Sequence, residues 1–140
     1  MIIVIDTNIL ISALIKDSVT RKIIIELNEE ILFPEESLSE IIKHREYILK
    51  KSGLLRGDFD VILMKLLENI KLIPLENIEK FLPESKRLME KRDLKDAIFL
   101  ATALSFKGSL IWSDDRDFED QSRIKIIKTK DMIKKYIIEK

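Results

Sequence analysis

The apolar run Ile2 to Ile5 ends abruptly at Asp6, Thr7 and Asn8. This feature constrains the fold more than any other in the chain. A run so short and so rich in β-branched residues predicts a strand buried on both faces. From Ile9 the pattern turns helical, which places Asp6 in a strand-to-helix turn at the carboxyl end of the strand. In α/β proteins that edge of the sheet is where ligands bind. An Asp at this position equally suits the N-cap of the following helix. Its meaning depends on whether other acids reach the same edge.

The rest of the chain alternates in the same way. Helices are expected over 9–14 and 19–27, then a strand over 31–33 stopped by Pro34. A helix opens at Ser37 and runs to about Lys51, and Gly53 and Gly57 punctuate a loop. Asp58 is read as the cap of a helix reaching about Asn69. A strand covers 71–75, interrupted by Pro74. Helices follow over about 84–91 and from Asp93 to a stop at Gly108. Strands over 110–112 and 124–127 and a final helix capped by Thr129 complete the pattern. Short strands alternating with helices require crossover connections, and so a mainly parallel sheet covered on both faces. The expected fold is α/β, a three-layer α/β/α sandwich forming a single domain over residues 1–140.

Acids collect where such a fold puts its carboxyl edge. Asp6 follows the first strand, and Asp114, Asp115 and Asp117 follow the strand ending at Trp112, in the string IWSDDRDF. Asp96 lies in the first turn of the helix from Asp93, and Glu40 in the first turn of the helix from Ser37. Each has a local explanation. Glu40 forms a capping box with Ser37, Asp93 suits an N-cap, Asp96 favours the positive end of a helix dipole, and the Asp-rich string suits a polar turn. His44 fits a surface or helix-packing histidine better than a catalyst. Trp112 and Phe118 fit the core, and Lys43, Arg45, Lys50 and Lys51 a solvated helix face. Jointly the acids are harder to dismiss. Carboxylates within a few ångströms of one another repel, and a hard divalent cation relieves that repulsion. An all-oxygen set suits Mg²⁺ or Mn²⁺ rather than Zn²⁺. Such an ion would also draw phosphate into an acidic crevice and activate water for phosphodiester hydrolysis.

Composition supports this by exclusion. The chain has no cysteine and one histidine, which removes thiolate zinc sites, disulfides and His-rich metal sites. Basic and acidic residues number 25 each, so any polyanion binding must come from a local patch or a metal. No apolar stretch is long enough to span a membrane and no signal peptide is visible, so the expected compartment is the cytoplasm.

These segments resemble the PIN-domain ribonucleases over nearly the whole chain. DTNIL resembles the family's first motif, and SEIIKH supplies its helix acid. KDAIFLATAL resembles its Asp-Ala helix, and WSDDRDF its Ser/Thr-x-Asp-x-Asp-Phe motif. The resemblance implies an Mg²⁺- or Mn²⁺-dependent endoribonuclease with an open cleft, often dimeric. Many small members are VapC-type toxins silenced by a small antitoxin. It implies Asp6, Glu40, Asp96 and Asp115 as catalytic, metal-binding acids and Asp117 as a fifth ligand, with Asn8 and Ser113 orienting Asp6 or a bound water. Asp114 replaces Asp115 if the turn is shifted by one residue, and Asp93 shares a helix face with Asp96. Lys43, Arg45 or Arg116 are candidates to hold flanking phosphates. Two rival readings remain. One is a non-catalytic PIN-like scaffold that binds RNA or protein. The other is a phosphatase using Asp6 as nucleophile, which is disfavoured by Asn8 where a second Asp is expected.

Overall fold

A computed structural model describes residues 1–89 and 94–138. In chain order the elements are β1 (Ile2–Ile5), α1 (Thr7–Ser12), α2 (Val19–Glu26), β2 (Glu30–Pro34), α3 (Glu35–Lys43), α4 (Arg45–Ser52), α5 (Arg56–Glu68), β3 (Lys71–Ile73), α6 (Leu75–Ile78), α7 (Leu82–Leu88), α8 (Ala97–Leu104), β4 (Leu110–Trp112), β5 (Ile126–Ile127) and α9 (Thr129–Ile133). A 3₁₀ turn, Leu94–Asp96, leads into α8, another covers Arg116–Asp120, and a π-helical turn, Lys134–Ile138, follows α9.

The strands form one sheet in the order β3-β2-β1-β4-β5, and every pairing between them is parallel. From β1 to β3 the chain steps one way across the sheet. It then crosses back to β4 on the other side of β1. Right-handed crossovers therefore place α1–α5 on one face and α6–α8 on the other. The contacts agree: α2 meets α1, α5 and α9, whereas α8 lies over β1, β2 and β4 beside α7. This is the three-layer α/β/α arrangement expected from the sequence. The central strand β1 is buried from Ile3 to Ile5, and Trp112, Phe33, Phe59 and Phe118 are wholly buried. Phe33 of β2 and Phe99 of α8 join sheet and helix, with ring centroids 5.9 Å apart.

The reversal of direction creates a switch point between β1 and β4. At such points the flanking connections leave in opposite directions and open a crevice at the carboxyl edge. The register pairs Ile5 with Trp112, so Asp6 and Ser113 emerge level with each other. A helix leading into a parallel strand runs antiparallel to it, so α8 starts at this same edge.

Several boundaries differ from the sequence reading. The helix expected to run on to Lys51 breaks at His44 into α3 and α4; no Pro or Gly marks the break. α3 begins at Glu35 with Pro34 as its N-cap, so Ser37 is a helical residue and the capping box with Glu40 does not form. α5 begins at Arg56, placing Asp58 in its first turn rather than at the cap. Pro74 ends β3 at Ile73 and serves as the N-cap of α6. Helix α7 ends at Leu88, and α8 ends at Leu104, with Gly108 in the turn beyond at φ +80°. The last strand is only Ile126–Ile127, and α9 is preceded by Lys128 at the cap. Asp93 lies outside the described residues.

Candidate metal centre

Asp6 is buried, with 4% of its surface exposed, and its carboxylate is bonded on both oxygens. Oδ1 accepts from the Ile9 amide at 2.9 Å, capping α1, and Oδ2 accepts from the Ser113 hydroxyl. The cap and the site are therefore the same group: one oxygen starts the helix while the other faces β4. Burial pushes the Asp6 carboxyl above its ordinary pKa. The Ser113 and Ile9 hydrogen bonds pull it back, and the charges of Asp115 and Asp114 add to the rise. Desolvation thus outweighs the repulsion between carboxylates that the sequence alone suggests.

Ser113, wholly buried, links the two strand ends. While donating to Asp6, its oxygen accepts from the Asp115 amide at 3.0 Å. Asp115 in turn accepts from the Asp117 amide at 2.9 Å, which caps the 3₁₀ turn. The chain of bonds Asp6–Ser113–Asp115–Asp117 fixes the post-β4 turn against the end of β1. Asp114 points elsewhere. Both its oxygens bind Thr129, accepting from the amide at 2.8 Å and the hydroxyl at 2.7 Å, and Trp112 Nε1 donates to the same hydroxyl at 2.9 Å.

With Asp114 held by Thr129, it is Asp115 that joins the acidic cluster. One carboxylate oxygen from each of Asp96, Asp115 and Asp117 lies within 4.8 Å of the others, and all three residues are half-buried. Asp96 reaches the cluster from the start of α8 and does not cap that helix with its side chain. Around an octahedral ion held at about 2.1 Å, adjacent donors lie about 3 Å apart and opposite ones about 4.2 Å, so these three oxygens are near enough to share one. Its all-oxygen chemistry fits a hard divalent cation.

Glu40 stands apart from these three. It is on α3, its side chain 57% exposed, 3.7 Å from His44 Nε2 one turn later. It lines an open groove of about 850 Å³ that runs between α3–α4 and the start of α8. Asp96 lines this groove as well as belonging to the cluster, and so joins the two. Asn8 is exposed on the groove wall, while Asp6 takes its hydrogen bonds from Ile9 and Ser113. Arg45 is turned away: its guanidinium pairs with Asp60 and lies 6.0 Å from the Phe59 ring centre. Neither Lys43 nor Arg116 lines the groove. Among the charged lining residues, Glu36, Lys51 and Lys95 are not among the site members expected from sequence. Glu36 is the i−4 neighbour of Glu40 on one helix face because α3 starts after Pro34 rather than at Ser37.

A parallel α/β sheet with carboxylates gathered at its switch point is an arrangement able to hold a metal ion. The sequence matches the PIN domain family over residues 4–135, and the chain belongs to that family. Among solved structures, VapBC2 from Rickettsia felis bound to a DNA fragment from their promoter shares the fold, with a TM-score of 0.67. That match is 16% identical in sequence and covers 91% of this chain and 98% of the other. Comparison with curated proteins finds no match.

Proposed function

We propose that this protein is an Mg²⁺- or Mn²⁺-dependent endoribonuclease. The observation that carries the reading is the convergence of Asp96, Asp115 and Asp117 on one point at the sheet's carboxyl edge, beside a groove open to solvent. Membership of the PIN domain family supports it.

Asp96, Asp115 and Asp117 would hold the ion. Asp6 acts from the buried side, where Ser113 fixes its orientation relative to Asp115. Glu40, across the groove, would position a second ion or the attacking water. When bound, the ion supplies a water of lowered pKa and positive charge against the phosphodiester. The low polarity around Asp6 strengthens each of these interactions relative to water. The phosphatase reading is weaker here, because both oxygens of Asp6 are engaged by Ile9 and Ser113.

The similarity to a VapBC2 assembly supports a narrower form of the reading. In it the protein is the toxin of a toxin–antitoxin pair, a homodimer that acts on cytoplasmic RNA and is silenced by a small antitoxin. No helix among the described residues is long and apolar enough to cross a membrane.

The test is cleavage of a labelled single-stranded RNA by purified wild type and Asp6→Asn, with Mn²⁺ or EDTA. Cleavage that is lost both in EDTA and in Asp6→Asn supports the reading. Equal residual activity in the two proteins indicates a contaminant. Inactivity on several RNAs, with no Mn²⁺ bound, favours the scaffold.

A further inference from the structure

The groove changes character along its length. Following α3 into α4, its lining passes from Glu36 and Glu40 through His44 to Tyr47 and Lys51. His44, Tyr47 and Lys51 are spaced by three and four residues, which sets them on one face. Tyr47 is 64% exposed, and Lys51 Nζ lies 5.4 Å from the centre of its ring. The exposed ring offers a stacking face to whatever enters the groove, with a cation beside it. Tyr47 lies in the first turn of α4, just past the break at His44, on the same groove as Glu40.

We infer that Tyr47 and Lys51 form a subsite for an unpaired nucleobase and its phosphate, next to the phosphodiester that the acids act on. The inference rests on the nuclease reading above and deepens it. Charge argues for this occupant. The acidic end of the groove suits a cation, whereas its α4 end is lined by Lys51. A polyanion whose reacting phosphate sits at the acidic end and whose backbone follows the groove along α4 passes Lys51. Aromatic rings bind bases by stacking irrespective of sequence, and a neighbouring cation adds attraction. A base already stacked within a duplex has no free face to offer Tyr47, so the subsite selects single strands, loops and bulges.

The experiment compares wild type, Tyr47→Ala, Tyr47→Phe and Lys51→Ala on a single-stranded RNA and on its duplex, measuring cleavage kinetics with Mn²⁺ and binding by fluorescence anisotropy with Ca²⁺. Tyr47→Ala is expected to raise KM and Kd for the single strand about 5- to 10-fold, with kcat within about twofold. Tyr47→Phe should restore both, because the ring and not the hydroxyl stacks. Lys51→Ala should weaken binding and flatten its salt dependence. Wild-type cleavage with an indistinguishable Tyr47→Ala overturns this inference and leaves the nuclease reading standing. So does a Phe variant as poor as Ala. A wild type that neither binds nor cleaves RNA overturns both.

Discussion

The two walls of the site are built differently. The wall on β1 and β4 is buried at Asp6 and Ser113, half-buried at Asp115, and hydrogen-bonded throughout: Asp6, Ser113 and Asp115 are tied in sequence, and Asp114 anchors their turn to Thr129. The wall on α3 is exposed. There Glu40 has His44 at 3.7 Å, and both side chains are more than half in solvent. A preorganised wall fixes where charge must sit, while a solvated wall adjusts to what arrives. On the proposed reading, the strand side would set the ion's position and the helix side would respond to substrate.

The sharpest way to break this comparison is to remove charge from each wall in turn. Asp115→Asn should lower Mn²⁺-dependent RNA cleavage by at least about 100-fold, beyond what loss of a supporting residue alone costs. Glu40→Gln should lower it roughly tenfold, the lower end of that range. Equal losses in a single-turnover assay would mean that the reaction depends on the helix wall as heavily as on the strand wall. Ser113→Ala lies between these: it removes the bridge but no ligand. Its Mn²⁺ affinity, read by calorimetry, should fall about 10- to 100-fold.

Thr129→Val tests the outer anchor of the strand wall. It deletes the hydroxyl bonded to both Asp114 and Trp112. The stability loss by urea denaturation should be about 1–3 kcal/mol, because the indole N–H loses its partner. An unchanged midpoint would show that the anchor contributes nothing.

The smallest effect is in pH. Burial raises the Asp6 carboxyl above its ordinary 3.8. Ionising it therefore costs the folded state. The cost is absent below the unfolded value, grows as pH rises through the raised folded value, and stays constant above it. Asp6→Asn does not carry this cost. In EDTA, denaturation across that pH range should show the variant gaining stability relative to wild type as pH rises. Mn²⁺ should then stabilise wild type more than the variant. A difference independent of pH would show that Asp6 ionises without penalty.

Much of this contrast was legible in the sequence, because the strand wall is written in local patterns. MIIVIDTN signals a buried strand ending in an acid, and LIWSDDRD repeats the signal. That β1 lies beside β4 is a long-range pairing, and only the structure supplies the register that levels Asp6 with Ser113. The choice between Asp114 and Asp115 was open for the same reason: it turns on Thr129, fifteen residues away. The helix wall was harder to read. S-x-x-E suggested a cap at Ser37, but Pro34, with its fixed φ, starts the helix earlier. That shift brings Glu36 into the groove, and the break at His44 has no marker in the residue types. Asn8, expected with Ser113 to orient Asp6 or a bound water, is exposed on the groove wall, and Asp6 takes its hydrogen bonds from the Ile9 amide and Ser113.

The most direct test of the central claim is calorimetric titration of Mn²⁺ into wild type, Asp115→Asn and Asp114→Asn. Saturable binding that is lost in Asp115→Asn and kept in Asp114→Asn is the predicted result. No binding by wild type, or undiminished binding by Asp115→Asn, would contradict a metal centre built on the strand wall.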